Sequence, residues 1–137
     1  MKRSLLALVS LAATAPLLPG AAASPARNAT VLIRHEAKGC HSMSVNYGAY
    51  RATQVVRIAP GGVLTVINND VEVQQFVQLS GPKARVKDGV MDRPGASARM
   101  TFPRRGTYRF RNEEGKPFVP DFEAEGENVL RLIVVVR

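Results

Sequence analysis

The residues able to do chemistry in this 137-residue chain are few, and most of them crowd into one short run. Gly39-Cys40-His41-Ser42-Met43 sets a thiol, an imidazole and a thioether close together, with His35 a short distance upstream. Such donors suit Cu(I), or a copper site built from His, Cys and Met, by their softness. Cys40 is the sole cysteine, which excludes an intrachain disulfide and any zinc site needing two or more thiolates. A lone cysteine also fits a buried inert thiol or a bridge between chains. Neighbouring side chains point apart in extended backbone, so Cys40 and His41 can share an ion only across a turn, which Gly39 makes feasible. That same divergence argues against a nucleophilic dyad, and the chain has only two histidines for acid–base work. The reading is therefore of a protein that is not an enzyme. Met43 also suits packing, and His35, alternating with Val31 and Ile33, also suits a half-buried structural role.

Residues 1–23 carry the marks of a secretory signal. Lys2 and Arg3 precede an apolar run from Leu5 to Leu18, and Ala21-Ala22-Ala23 offers small residues for cleavage. Pro16, Pro19 and Gly20 break that run, which is short for a bilayer core about 30 Å thick. The expectation is an exported protein, periplasmic or secreted, folded as one domain over residues 24–137 with no further apolar span. The full chain has 19 basic and 11 acidic residues; without Lys2 and Arg3 the net charge is +6. Basic residues concentrate between Lys83 and Arg111, and acids between Glu113 and Glu127. A basic face of this kind could steer an acidic partner. Nucleic acid fits poorly, because no stacking aromatics interleave the arginines. The acidic run lacks the ordered spacing of a calcium loop and reads as solvated.

Short alternating segments separated by turn residues must position these groups. Strands are predicted over Thr30–Glu36, Ala52–Ile58, Val63–Asn68, Val73–Leu79, Ala96–Phe102, Thr107–Arg111 and Val129–Val136. Pro60-Gly61-Gly62 reads as the turn between the second and third, and residues 37–50 and 81–95 as loops. Asn68, Asn69 and Asp70 read as turn formers that bond their own backbone. The unbroken apolar stretch Leu132–Val136 suggests a central strand buried on both sides. With no helical period after residue 23, the fold class is all-β: a Greek-key β-sandwich of seven to eight strands, its sheets antiparallel.

Four motifs in order carry a family resemblance: Ala59-Pro-Gly-Gly-Val-Leu-Thr-Val-Ile-Asn-Asn-Asp70, Val73–Leu79, Pro94-Gly-Ala-Ser97 and Thr101-Phe-Pro-Arg-Arg-Gly-Thr-Tyr-Arg-Phe110. Together they resemble the cupredoxins, small copper-binding sandwiches of exported electron-transfer proteins, over roughly residues 55–111. The ligands depart from that pattern. Five residues beyond Asn69, where plastocyanin-like members place a histidine, stands Gln74. After Phe110, where the family supplies Cys, His and Met, stands Arg111-Asn-Glu-Glu-Gly115. The segment Cys40-His41-Ser42-Met43 is similar to a Cys-His-x-aromatic segment of some exported cupredoxin-like proteins, with Met43 in the aromatic position. The resemblance thus implies one copper ion, with Cys40 and His41 as ligands, Met43 and His35 as weaker or second donors, and Gln74 as an axial oxygen. Electron transfer or copper carriage would follow, with an acidic redox protein as partner. The competing reading keeps the fold and drops the metal, leaving a binding or assembly module of the cell envelope.

Overall fold

The computed structural model describes residues 24–36, 41–117 and 128–137. Cys40, the segment 1–23 and most of the acidic run lie outside them. The described residues form nine strands and no helix: β1 (Ala26–His35), β2 (His41–Val45), β3 (Thr53–Asn69), β4 (Glu72–Ser80), β5 (Arg85–Lys87), β6 (Val90–Met91), β7 (Ser97–Thr101), β8 (Gly106–Pro117) and β9 (Arg131–Val136). Among these residues, no helix is long and apolar enough to cross a membrane.

The strands join into one mixed sheet that folds over on itself, and β3 is the reason. Its first half, Thr53–Ile58, pairs with β9, whereas Val63–Asn69 lies between β1 and β7. One layer is therefore β2-β1-β3-β7-β5 and the other is β3-β9-β8-β4-β6. Pro60-Gly61-Gly62, expected as a turn between two strands, is instead the corner at which a single strand changes layers. Gly61 has φ +73°, a conformation costly to any residue with a side chain, and a bend of this kind lets one strand serve both sheets. The all-β sandwich expectation holds, with amendments. Two pairings, β1 with β3 and β3 with β9, are parallel. β2 lies inside the expected loop 37–50, and β5 and β6 lie inside the expected loop 81–95. All three are short, and a sequence period shows poorly over so few residues.

Alternation sets the core. Val31 and Ile33 on β1, Leu64 and Val66 on β3, Tyr108 and Phe110 on β8, and Leu132 and Val134 on β9 are all buried between the layers. β9 is central, lying between β3 and β8, but only one of its faces is fully covered; Ile133 and Val135 are half-buried. Phe102 stacks edge-on against Tyr108 with centroids 5.0 Å apart. The Tyr108 hydroxyl donates to the Arg104 carbonyl at 2.6 Å, closing the turn into β8. Gly81 (φ +98°) packs so tightly that a Cβ there would lie 2.3 Å from the Thr107 carbonyl oxygen.

Toward one end of the sandwich the same inward-facing stripes turn polar together. β1 runs from Val31 and Ile33 to His35, and β2 begins inward with His41 before Met43. β3 passes from Val66 to Asn68 and on to Asp70, while β4 opens with Glu72 and Gln74 before Phe76. β8 continues from Phe110 to Asn112 and Glu114. Because side chains on alternate positions share a face, these polar groups must converge wherever the five stripes end.

Candidate metal centre

His41 sits at the middle of this convergence, with its side chain fully buried. Its register partner is His35, and the two rings meet edge to face with centroids 5.2 Å apart. The backbone is fixed from both sides: His41 N–H donates to Asn128 Oδ1 at 2.6 Å, and Asn128 Nδ2 returns a bond to the His41 carbonyl at 3.0 Å. This clamp ties the start of β2 to the segment leading into β9.

The two ring nitrogens face different groups. His41 Nδ1 is hydrogen-bonded to Asp70 Oδ2, and His35 Nδ1 lies 3.5 Å from the other oxygen of the same carboxylate. His41 Nε2 points the opposite way, 3.4 Å from Glu72 Oε2 and 3.9 Å from Glu114 Oε1. Each side offers three donor atoms within 4.8 Å of one another: His35, His41 and Asp70 on one, His41, Glu72 and Glu114 on the other.

Asp70 does more than the turn expected of it. Its amide donates to Asn68 Oδ1 at 2.9 Å and its Oδ1 accepts from the Val71 N–H at 2.6 Å, the local bonds that such a residue makes. Its remaining oxygen reaches His41. Asn68 in turn donates to the carbonyls of Glu72 and Met91, at 2.7 and 3.0 Å, so the corner between β3 and β4 is rigid. Asn112 donates to Glu114 Oε1 at 2.5 Å and to Gln74 Oε1 at 3.2 Å, and accepts from the Leu130 N–H at 2.6 Å.

Electrostatics follow from this geometry. Burial opposes charge on His41, yet the bond to Asp70 and the negative charges of Asp70, Glu114 and Glu72 outweigh it and raise its pKa above the ordinary value. Burial likewise opposes the Asp70 carboxylate. The His41 bond and charge, the Val71 N–H and His35 overcome it and hold Asp70 below its ordinary value.

Of the residues expected to bind an ion, His35, His41 and Gln74 are brought to one place, so the segments at 41–43 and 70–75 meet at the same end of the sandwich. Gln74 meets His41 through its amide nitrogen, 3.2 Å from Nδ1, and its oxygen is engaged by Asn112. With Nδ1–H of His41 turned to Asp70, the Gln74 amide donates to Asp70 Oδ2 at 3.3 Å and so orients the carboxylate that holds His41. Met43 lies on the same inward face, deeper, within the apolar core. Cys40 falls outside the described residues. Asp70, Glu72, Asn112 and Glu114 were not expected at the site. Glu113 and Glu114, read as part of a solvated loop, belong to β8, and Glu114 faces His41. The signal that could have found them is the continuation of each apolar stripe, two residues at a time, into polar side chains.

No family model matches the chain, and neither does any curated protein. Among solved structures, an oxidised amicyanin variant is similar at 19% identity, covering 86% of this chain and 87% of its own, with a TM-score of 0.41. The copper protein rusticyanin is similar at 18% identity, covering 81% of this chain and 78% of its own, with a TM-score of 0.39. The cysteine protease inhibitor EhICP2 from Entamoeba histolytica stands beside them at 9% identity, 79% and 95% coverage and a TM-score of 0.40. Identities this low speak to fold alone, and at TM-scores under 0.5 they decide neither lineage nor function.

Proposed function

We propose that this is an exported, cupredoxin-like protein that binds one copper ion at the polar end of its sandwich, with His35, His41 and Asp70 as the core of the ligand set. The observation that carries the reading is the meeting of both histidines on one buried carboxylate. The donor chemistry fits the metal: imidazole and carboxylate suit Cu(II), and Cys40, next to His41 in sequence, is the thiolate that would extend the set. His35 is 19% exposed, so the ion has a path from solvent. Hard carboxylate oxygens favour the oxidised ion over Cu(I), which supports holding or carrying copper above rapid electron transfer.

The basic groove lined by Lys83, Arg85, Pro103 and Arg104 supports an acidic partner. It lies at the opposite end of the molecule: Arg85 pairs with Thr101 and Thr101 with Val63, roughly 23 Å of strand from Asp70. A partner seated there would be remote from the ion, which again fits carriage better than electron exchange.

The test is a Cu(II) titration of the cleaved protein, followed by its optical spectrum, with His35→Ala and Cys40→Ser alongside. The expected result is one ion per chain, weakened in His35→Ala, with a thiolate band that vanishes in Cys40→Ser. Absence of stoichiometric copper binding would overturn the reading and leave a metal-free binding module of the same fold.

A further inference from the structure

The inner side of His41 is a separate arrangement from the one assigned to copper. His41 Nε2 is buried and makes no hydrogen bond among the described residues. It is aimed between Glu72 Oε2 and Glu114 Oε1, at 3.4 and 3.9 Å. The other ring nitrogen is bonded to Asp70, the arrangement in which a carboxylate fixes an imidazole's tautomer and direction so that the opposite nitrogen can ligate. The Glu114 carboxylate is oriented too, because Asn112 donates to its Oε1 at 2.5 Å; at Glu72 it is the backbone that is fixed, its carbonyl accepting from Asn68 at 2.7 Å.

We propose that His41 Nε2, Glu72 and Glu114 form a second cation site, for a borderline divalent ion of the Zn2+ kind. One imidazole and two carboxylates are the donor types such ions take. Ca2+ is a poor match, since it wants six to eight oxygen ligands. Soft Cu(I) is excluded by the absence of sulfur from this triad. Asp70, Asn112 and Gln74 are positioning residues here: they orient His41 and Glu114 without being ligands of the inner ion. The proposal stands without the copper reading, because it uses the other nitrogen of the ring and neither His35 nor Cys40.

Zn2+ titration by calorimetry, on the same cleaved protein freed of copper, separates the two. In His35→Ala, where the outer triad is disabled, one Zn2+ should still bind. In Glu72→Gln and Glu114→Gln, which keep the side-chain shape, Zn2+ affinity should fall by roughly 10–100-fold or more. Copper uptake should show the reverse pattern, reduced by His35→Ala and retained in Glu114→Gln. Zn2+ binding that disappears with His35→Ala, or that survives both glutamine variants unchanged, overturns the inner site. Should Glu72→Gln fail to fold, Glu114→Gln decides alone, since Glu114 is 11% exposed and tolerates exchange better.

Discussion

Replacing Asp70 by Asn probes the linchpin of the cluster. Both Asp70 and His41 are fully buried, and the carboxylate serves His41, His35 and the Val71 N–H together. Complete removal of one member of a buried ion pair costs about 3–5 kcal/mol. Asn keeps the volume and one acceptor, so Val71 and the corner at Asn68 are retained and only the charge-assisted share is lost. A hydrogen bond to a charged group is worth about 1.5–3 kcal/mol, which sets the expected destabilisation of Asp70→Asn. For a domain of this size each kcal/mol moves the melting temperature by about 4 °C, so the drop should be roughly 6–12 °C.

The pH dependence supplies a second signature. His41 is raised from 6.5, so its stabilisation is complete below that value and is lost as pH rises through the higher folded value. Asp70 is lowered from 3.8, so its stabilisation is complete above that value and is lost as pH falls through the lower folded one. The parent should therefore be most stable between these limits and weaken on the alkaline side. Glu72, Glu114 and His35 face the same pair and shift the limits without reversing either sign. Asp70→Asn should lose most of the alkaline decline, because it removes the main cause of the raised His41 value. The assay is thermal unfolding followed by far-UV circular dichroism, with a chelator present, across this pH range. A variant within about 0.5 kcal/mol of the parent, with the same alkaline decline, would refute the reasoning.

Gly81→Ala should destabilise by about 1–3 kcal/mol from its positive φ alone, and by more from the overlap with the Thr107 carbonyl; denaturant unfolding measures it. Tyr108→Phe should cost about 0.5–1.5 kcal/mol for the bond to the Arg104 carbonyl, read from the same denaturation midpoints, and leave metal binding unchanged. Asn128→Ala, which removes both bonds that clamp the His41 backbone, should weaken copper uptake by about tenfold while leaving the core intact; calorimetry and a melting curve together separate these effects.

Alternation made the sandwich legible. Val31 and Ile33, Leu64 and Val66, Tyr108 and Phe110 each announce a buried face at a period of two, and that period survives in the structure. The Pro60-Gly61-Gly62 corner was misread because the same residues that close a hairpin also permit a strand to bend and change sheets; only the pairing of β3 with β9 and then β7 distinguishes the two. At the site, His35, His41 and Gln74 were recognisable by residue type. Asp70 was hidden because its turn-forming bonds to Asn68 and Val71 are real and explain it locally. Glu114 was hidden by its acidic neighbours, which suggested solvent; its place opposite Gln74 in the β4–β8 register turns it inward. Convergence of groups distant in sequence is decided by strand order, and that order is not written in any one segment.

A crystal of the protein grown with Cu(II), with anomalous diffraction recorded at the copper edge, tests the central claim most directly. The account predicts one copper peak at the polar end of the sandwich, within direct ligand distance of an imidazole nitrogen of His41 or His35 and an oxygen of Asp70. A copper peak seated elsewhere on the molecule, or none with the cluster well ordered, would contradict it.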